Sequence, residues 1–553
     1  MSEFTKNKEK SIVNNLILAV IFTWAFIVSS DVYAQKSKMI NAKTPKTQTE
    51  KEPKPNIIMI LVDDLNDYQG AFGGHPQAKT PNIDKLAKSG IRFTNAQTNV
   101  PVCQPSRNSL FTGVYPHDSG DYNWRAQAKQ KVLKHNKTMM QLFRENGYYT
   151  LGTGKLMHRG DAKRWHKWGR PIGHNYGPTY FDGEKKGAVP TVPAPFRDIG
   201  PIDGSYGRLS DGGYSSGKKG TKGWMNGWDK SMLRYVNDND RDLLPDEHHA
   251  KWASEQLSIL AKSKNNQPFF MGVGFVRPHT PLHAPDRFFD MFPLDELKLA
   301  PWMKGDNRDT YFKDNFPADI KGLRYYKTLL ASYDNDHETA LKHFLQAYLA
   351  CIAFMDEQVG KILDTLDSHP ELKNNTTVVF TADHGWQMGE KGYLFKNSAW
   401  EESTRIPMII RQPNNEHNGS EVDHPVSLID IYPTFVDYAK LAGEHKKNRK
   451  GGKLGGYSLR TFLENPDSNE WQGPNGALTV IGNFHQVTDI DSVIKQNYSY
   501  RTKDWRYIRY SNGQEELYDH AIDPYEWHNL AKKTSVFVKK KQLLKEMVAI
   551  IEK

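Results

Sequence analysis

The chain is 553 residues long, with 38% hydrophobic residues, 25% charged residues and a formal net charge of +10. That balance excludes an intrinsically disordered chain, and the length accommodates a large domain plus a smaller second unit. The positive charge comes with no helix-turn-helix, RNP or zinc-finger pattern, so nucleic acid is not an expected partner.

Residues 1–34 read as an export signal. Lys6, Lys8 and Lys10 precede an apolar run from Leu16 to Val28, and Val32-Tyr33-Ala34 offers a cleavage site before Gln35. The run is shorter than the roughly 20 residues of a membrane span, so a periplasmic or extracellular protein without stable membrane insertion is expected. Residues 35–54 hold six Lys against two Glu and read as a disordered tether. The rest of the chain is then left at about +6, a modest excess able to attract polyanions.

From residue 55 onward, apolar β-rich runs alternate with helical patterns, which predicts an α/β fold whose mainly parallel sheet is covered on both faces. Asn56–Val62 is a buried strand ending at Asp63-Asp64, and Thr80-Pro81 opens a helix that Gly90 closes. Three further strands follow the same plan. Tyr148–Leu151 leads to Lys155 and His158, Pro268–Val276 to Arg277-Pro278-His279, and Thr376–Ala382 to Asp383-His384. Ligands of open α/β sheets bind beyond the carboxyl ends of strands, so these four runs point to one site.

Asp63, Asp64, Asp383 and His384 are the candidate metal ligands, because carboxylates brought that close repel without a cation or protons. Oxygen donors favour calcium or magnesium and the imidazole favours a transition metal, which leaves the ion open at this point. Of the two cysteines, Cys351 falls on the apolar face of a helix (Phe344, Tyr348, Ile352, Met355) and reads as core. Cys103 differs. It opens the helix Cys103-Gln-Pro-Ser-Arg107, whose N-terminus and Arg107 favour an anion. His248-His249 reads as a solvated helix start. A zinc pair of His279 with His283 is disfavoured by the intervening Pro281.

These motifs, with Leu-Phe-Thr-Gly113, Tyr115-Pro-His117 and the C-terminal Arg501–Tyr510 and Glu516–Asp519 stretches, resemble the formylglycine-dependent sulfatases of the alkaline phosphatase superfamily, and within them the iduronate-sulfatase-like branch. The resemblance spans nearly all of residues 55–553. It implies that a maturation enzyme converts Cys103 to 3-oxoalanine (formylglycine). It also implies that Asp63, Asp64, residue 103, Asp383 and His384 hold one divalent cation, usually calcium. Arg107 and Lys155 would steady the formylglycine, His158 would act as base, and His279 and Lys396 would serve the departing alcohol. The implied reaction is hydrolysis of sulfate monoesters on a sulfated carbohydrate, such as carrageenan or a uronate-containing glycan. A phosphate or phosphonate hydrolase, an inactive sulfated-glycan binder and a purely structural exported protein are the competing readings.

The expected architecture is a catalytic domain over 55–445 whose large mixed, mainly parallel sheet is sandwiched by helices in the alkaline phosphatase-like manner, and a smaller antiparallel sheet packed by a helix over 475–553. The Lys/Gly-rich stretch 446–456 reads as an exposed join. Between site segments, the insertion 159–245 offers Trp165, His166, Trp168, Arg170, His174, Trp224 and Trp228, either to stack on sugars or to pack an irregular loop. Oligomeric state is not legible.

Overall fold

The computed structural model describes residues 54–122, 124, 126–158, 162–169, 176–226, 231–482 and 496–553. The expected export signal and all of the expected tether except Lys54 lie outside these residues, as do Arg170, His174 and Trp228.

In chain order, the elements that position the site are β1 (Asn56–Val62), α1 (Pro81–Lys88), β2 (Ile91–Gln97), α2 (Cys103–Thr112), β3 (Tyr149–Gly154), α3 (Pro245–Ala261), β4 (Phe269–Phe275), α4 (His337–Asp367), β5 (Thr376–Ala382) and β6 (Arg405–Arg411). Every side chain of β1, β4 and β5 is buried, as near-continuous apolar strands covered on both faces must be. They form the middle of a nine-stranded sheet in which β2, β6, β5, β1, β4 and β3 lie side by side. The pairs β5–β1, β1–β4 and β4–β3 are parallel, whereas β6 runs antiparallel to both β5 and β2. The sheet is therefore mixed and mainly parallel at its centre. β1 has later strands on both sides, the arrangement that opens a crevice at the carboxyl edge.

Helix α4 lines this sheet with a long buried face that includes Cys351, fully inaccessible as its apolar neighbours predict. It also supplies a cap that sequence reading assigned elsewhere. Thr80 makes no side-chain cap on α1; instead Asp356 accepts from the backbone of Ile83 at 2.8 Å and of Asn82 at 3.2 Å. A carboxylate there satisfies orphan first-turn N–H groups and complements the helix dipole. α3 starts at Pro245, ahead of the expected start at His248-His249, and His249 is buried rather than solvated, with Nδ1 2.9 Å from Thr153 Oγ1.

The C-terminal segment forms an antiparallel meander of β7 (Gly476–Ile481), β8 (Asn497–Thr502), β9 (Trp505–Arg509) and β10 (Glu515–Asp519), followed by α5 (Phe537–Ile551). Its small core includes Leu478, Tyr500, Tyr507, Leu517 and Met547. The meander is fastened to the large sheet beside β2, where Val480 donates its N–H to Asn99 O at 2.8 Å. The stretch 446–456 is exposed at 447–450 and 453 and half-buried elsewhere, and Asn136 and Gly452 exchange bonds of 2.8 and 2.9 Å. Among the described residues no helix is long and apolar enough to cross a membrane.

Candidate active site

Strand register decides where the acids meet. Val62 pairs with Phe275 on one side and Ala382 on the other, so Asp63, Val276 and Asp383 leave the sheet at one level. Lys155 arrives beside them because its N–H continues the ladder to Gly274 O at 2.9 Å. That approach requires glycine: a Cβ on Gly274 would stand 2.2 Å from the Lys155 carbonyl. Asp64 turns the chain with φ of 58°, left-handed and costly for a residue with a side chain. Tyr348 of α4 holds the turn by donating to Asp64 O at 2.7 Å and accepting from Asn66 N–H at 3.1 Å.

All ten α2 residues are buried, and Cys103 begins the helix with no side-chain cap before it. Arg107, one turn on, donates to Asp383 Oδ2 at 2.7 Å and to Asp63 Oδ1 at 3.0 Å. Lys155 pairs with the other oxygen of Asp63. Lys396 grips both oxygens of Asp64 at 2.7 and 2.9 Å and stands 3.0 Å from Cys103 Sγ. His279 Nε2 lies 3.7 Å from Asp64 and 4.0 Å from Asp63. Nine of the ten predicted residues thus form one buried cluster. The tenth, His158, is half-buried and reaches the cluster through Tyr176.

The donor set fits a divalent cation. Ligand atoms of Asp63, Cys103, Asp383 and His384 lie within 4.8 Å of one another, as do those of Asp63, Asp64, Cys103 and His279. His384 Nδ1 is 3.0 Å from Gly385 O, which makes that nitrogen the donor to the backbone and turns Nε2 toward the acids. Nε2 is buried without a hydrogen-bond partner, 3.5 Å from Asp64 and 3.6 Å from Asp383. A buried imidazole nitrogen without a hydrogen-bond partner, set among carboxylates, fits a donor set that a cation would satisfy. Electrostatics agree. Burial tends to raise Asp63, but Lys155, His279 and Arg107 outweigh it and hold that carboxyl well below its usual range. Burial pushes Asp64 up to about 8 against the opposing Lys396, so this second carboxylate calls for further positive charge. Burial also raises the Cys103 thiol, which keeps the unmodified residue neutral.

Sequence reading missed three groups. Ser106 and Thr98 each donate to the Asp383 carbonyl at 2.6 Å and fix that loop; only Ser106 carried a signal, inside its motif. Tyr176 comes from the irregular insertion, where no periodicity marks it. Its hydroxyl is 3.0 Å from Lys155 Nζ and 3.3 Å from His158 Nε2, and its ring packs 4.5 Å from that of His279. It joins three predicted site residues. Removing a hydrogen bond to a charged group costs about 1.5–3 kcal/mol. Tyr176→Phe should therefore lower kcat/KM for sulfate release at least about tenfold with the fold intact. An unchanged rate in steady-state assays would reduce Tyr176 to a packing residue.

The other insertion aromatics mostly pack. Trp165 stacks 5.5 Å from Phe270 and lies 6.2 Å from Trp168, and the buried Trp224 donates to Leu209 O at 2.9 Å. His166 bonds to Thr150 at the start of β3. His283 has both ring nitrogens engaged, Nε2 with Ser205 Oγ at 2.8 Å and Nδ1 with Gly207 O at 2.9 Å, so it forms no zinc pair with His279.

Residues 55–441 match the family model described as Sulfatase, and residues 389–553 match one described as N-sulphoglucosamine sulphohydrolase, C-terminal. A sulfatase of Formosa agariphila is 31% identical over 500 residues, covering 89% of this chain and 86% of that protein. Mouse iduronate 2-sulfatase is 30% identical over 423 residues, covering 70% of this chain and 69% of that protein. A structure of a protein in complex with its substrate D-glucosamine-2-N,6-O-disulfate superposes with a TM-score of 0.61 at 21% identity, covering 90% of this chain and 98% of that chain. With the sheet, the order of its strand-end residues and these matches in agreement, the chain belongs to the sulfatase family of sulfuric ester hydrolases.

Proposed function

We propose that the protein removes sulfate from a sulfated carbohydrate with formylglycine formed at residue 103 and a bound calcium ion. One observation carries this reading: Cys103 lies within one 4.8 Å donor set with Asp63, Asp383 and His384, against Lys396. When present, the hydrated aldehyde supplies a nucleophilic hydroxyl and the cation supplies Lewis acidity. The chain's own residues do the rest. Asp63, Asp64, Asp383 and His384 hold the ion. Arg107 and Lys155 fix Asp63 and Asp383 and place positive charge beside residue 103. Lys396 directs an N–H group at the leaving oxygen, and His279 Nε2 would do so once an anionic sulfuryl group bound beside it favours the imidazolium. His158 accepts a proton from residue 103, with Tyr176 between it and Lys155.

The substrate class follows from relatives named for sulfated sugars, iduronate 2-sulfatase and the glucosamine disulfate complex. The modest positive charge of the folded part suits such polyanions. A carrageenan-type galactan or a uronate-containing glycan is the substrate we favour. Export to the periplasm or beyond, and maturation by a formylglycine-generating enzyme, complete the proposal.

The test is sulfate release from a panel of defined sulfated oligosaccharides, after mass spectrometry has confirmed the aldehyde at residue 103. Release from one linkage is expected and would name the substrate. Turnover of aryl phosphate or phosphonate esters, with none of any sulfate ester, would overturn the reading.

A further inference from the structure

Beside the catalytic cluster lies a buried charge that no ion pair holds. Arg277 is 3% exposed, and among the described residues no carboxylate pairs with its guanidinium. Burial lowers that group below its ordinary value. A buried charge is costly unless hydrogen bonds replace its hydration, so its bonds tell what the arginine is there for. All three go to main-chain carbonyls. Nε donates to His283 O at 3.0 Å, Nη1 to His279 O at 3.2 Å and Nη2 to Gly177 O at 2.9 Å. The first two carbonyls belong to the chain that leaves β4, and the third belongs to the insertion.

Both sides of this clamp carry a side chain of the site. His279 itself stands 3.7 Å from Asp64. Gly177 follows Tyr176, whose ring packs 4.5 Å from the His279 ring and whose hydroxyl lies 3.0 Å from Lys155 Nζ. The turn that bears Arg277 is fixed independently of its guanidinium. His279 donates its N–H to Val276 O at 2.8 Å. Asp246, in the first turn of α3, accepts from the N–H groups of Val276 at 2.9 Å and of Arg277 at 2.8 Å. The guanidinium thus has a firm base from which to hold the Tyr176 segment against the His279 backbone.

We propose that Arg277 is a positioning residue, which sets the His279 imidazole against the departing oxygen by clamping the His279 backbone to that of Tyr176. This rests on the role proposed above for His279 at the leaving oxygen. Arg277 acts through that imidazole and not through its charge, since its hydrogen bonds all go to main-chain carbonyls. A lysine cannot replace it. The ammonium is a point charge on a flexible stem, whereas the guanidinium presents five N–H groups in a rigid planar fork that can serve three carbonyls at once. Small misplacements of a group that acts on a reacting atom cost rate far more than they cost stability.

The experiment compares kcat and KM of matured full-length protein on 4-nitrophenyl sulfate and on phenyl sulfate, whose more basic oxide needs a proton as it leaves. Arg277→Lys keeps the charge and loses the fork. Its kcat should fall at least about tenfold further on phenyl sulfate than on 4-nitrophenyl sulfate, with KM little changed. The double variant Arg277→Lys/His279→Ala should be no slower than His279→Ala alone, since both changes act through one imidazole. Arg277→Gln serves as a second variant should Arg277→Lys fold poorly, and near-UV circular dichroism reports folding of each. Three results would each overturn the positioning role while sulfate release by wild type stands: wild-type activity in folded Arg277→Lys, equal losses on the two esters, or losses that multiply in the double variant. Turnover of aryl phosphates with none of either sulfate would overturn the proposed function, and this role with it.

Discussion

Cys103→Ala protein will release no sulfate above background, a loss on the order of 10⁵–10⁶-fold, as expected when a covalent nucleophile is removed. The physical reason lies in what residue 103 must provide. Under the proposed chemistry it would carry two hydroxyls on one carbon, which would supply both a nucleophile and a route back to the aldehyde. Alanine has none, and serine has one and should not support repeated turnover. The unmodified thiol is no substitute, since burial raises it and keeps it neutral at the helix start. The substitution removes one buried atom from a helix that is packed on all sides. A Tm within a few degrees of wild type is therefore expected, with calcium still bound through Asp63, Asp64, Asp383 and His384. Sulfate release measured by ion chromatography, beside a mass-spectrometric count of aldehyde, checks this. Repeated turnover by protein free of aldehyde would remove formylglycine from the proposal.

The parts of this site legible in sequence are those that strands deliver. Asp63, Asp383, Lys155 and His279 each follow an apolar run that can only be a buried strand, and parallel register then carries them to one edge. The Cys103–Arg107 motif was legible because it opens a helix. Lys396 was identified by resemblance alone, and the fold explains why: it sits on an irregular loop whose place is set by contacts with Asp64, far away in sequence. Tyr176 was invisible for the same reason, without a motif to compensate. Capping shows another limit. Thr80 is a sound local choice at a helix start, yet Asp356 reaches that end from α4, 273 residues away. That the large sheet is mixed came with the resemblance, but which strands run antiparallel, β6 against β5 and β2, was beyond reach, because an apolar strand does not carry its direction in its composition.

His279→Ala should separate substrates by their leaving groups. His279 stands over the acids with Nε2 toward Asp64, while its Nδ1 lies 2.6 Å from Thr280 O, so the ring is oriented by backbone. Burial and then Lys396 hold the imidazole well below its ordinary value, which an anionic sulfuryl group bound beside it would oppose. A sugar alkoxide is a poor leaving group and must be protonated as it departs. Such assistance contributes about 10²–10⁴-fold. An aryl oxide leaves with little help. The variant should therefore lose at least about 10²-fold in kcat/KM on a sulfated sugar, yet no more than about tenfold on 4-nitrophenyl sulfate. Lys396→Ala should lower both, because Lys396 also neutralises Asp64 and contacts residue 103. Equal losses on both substrates in His279→Ala would mean that His279 only shapes the site, and proton delivery would then fall to Lys396.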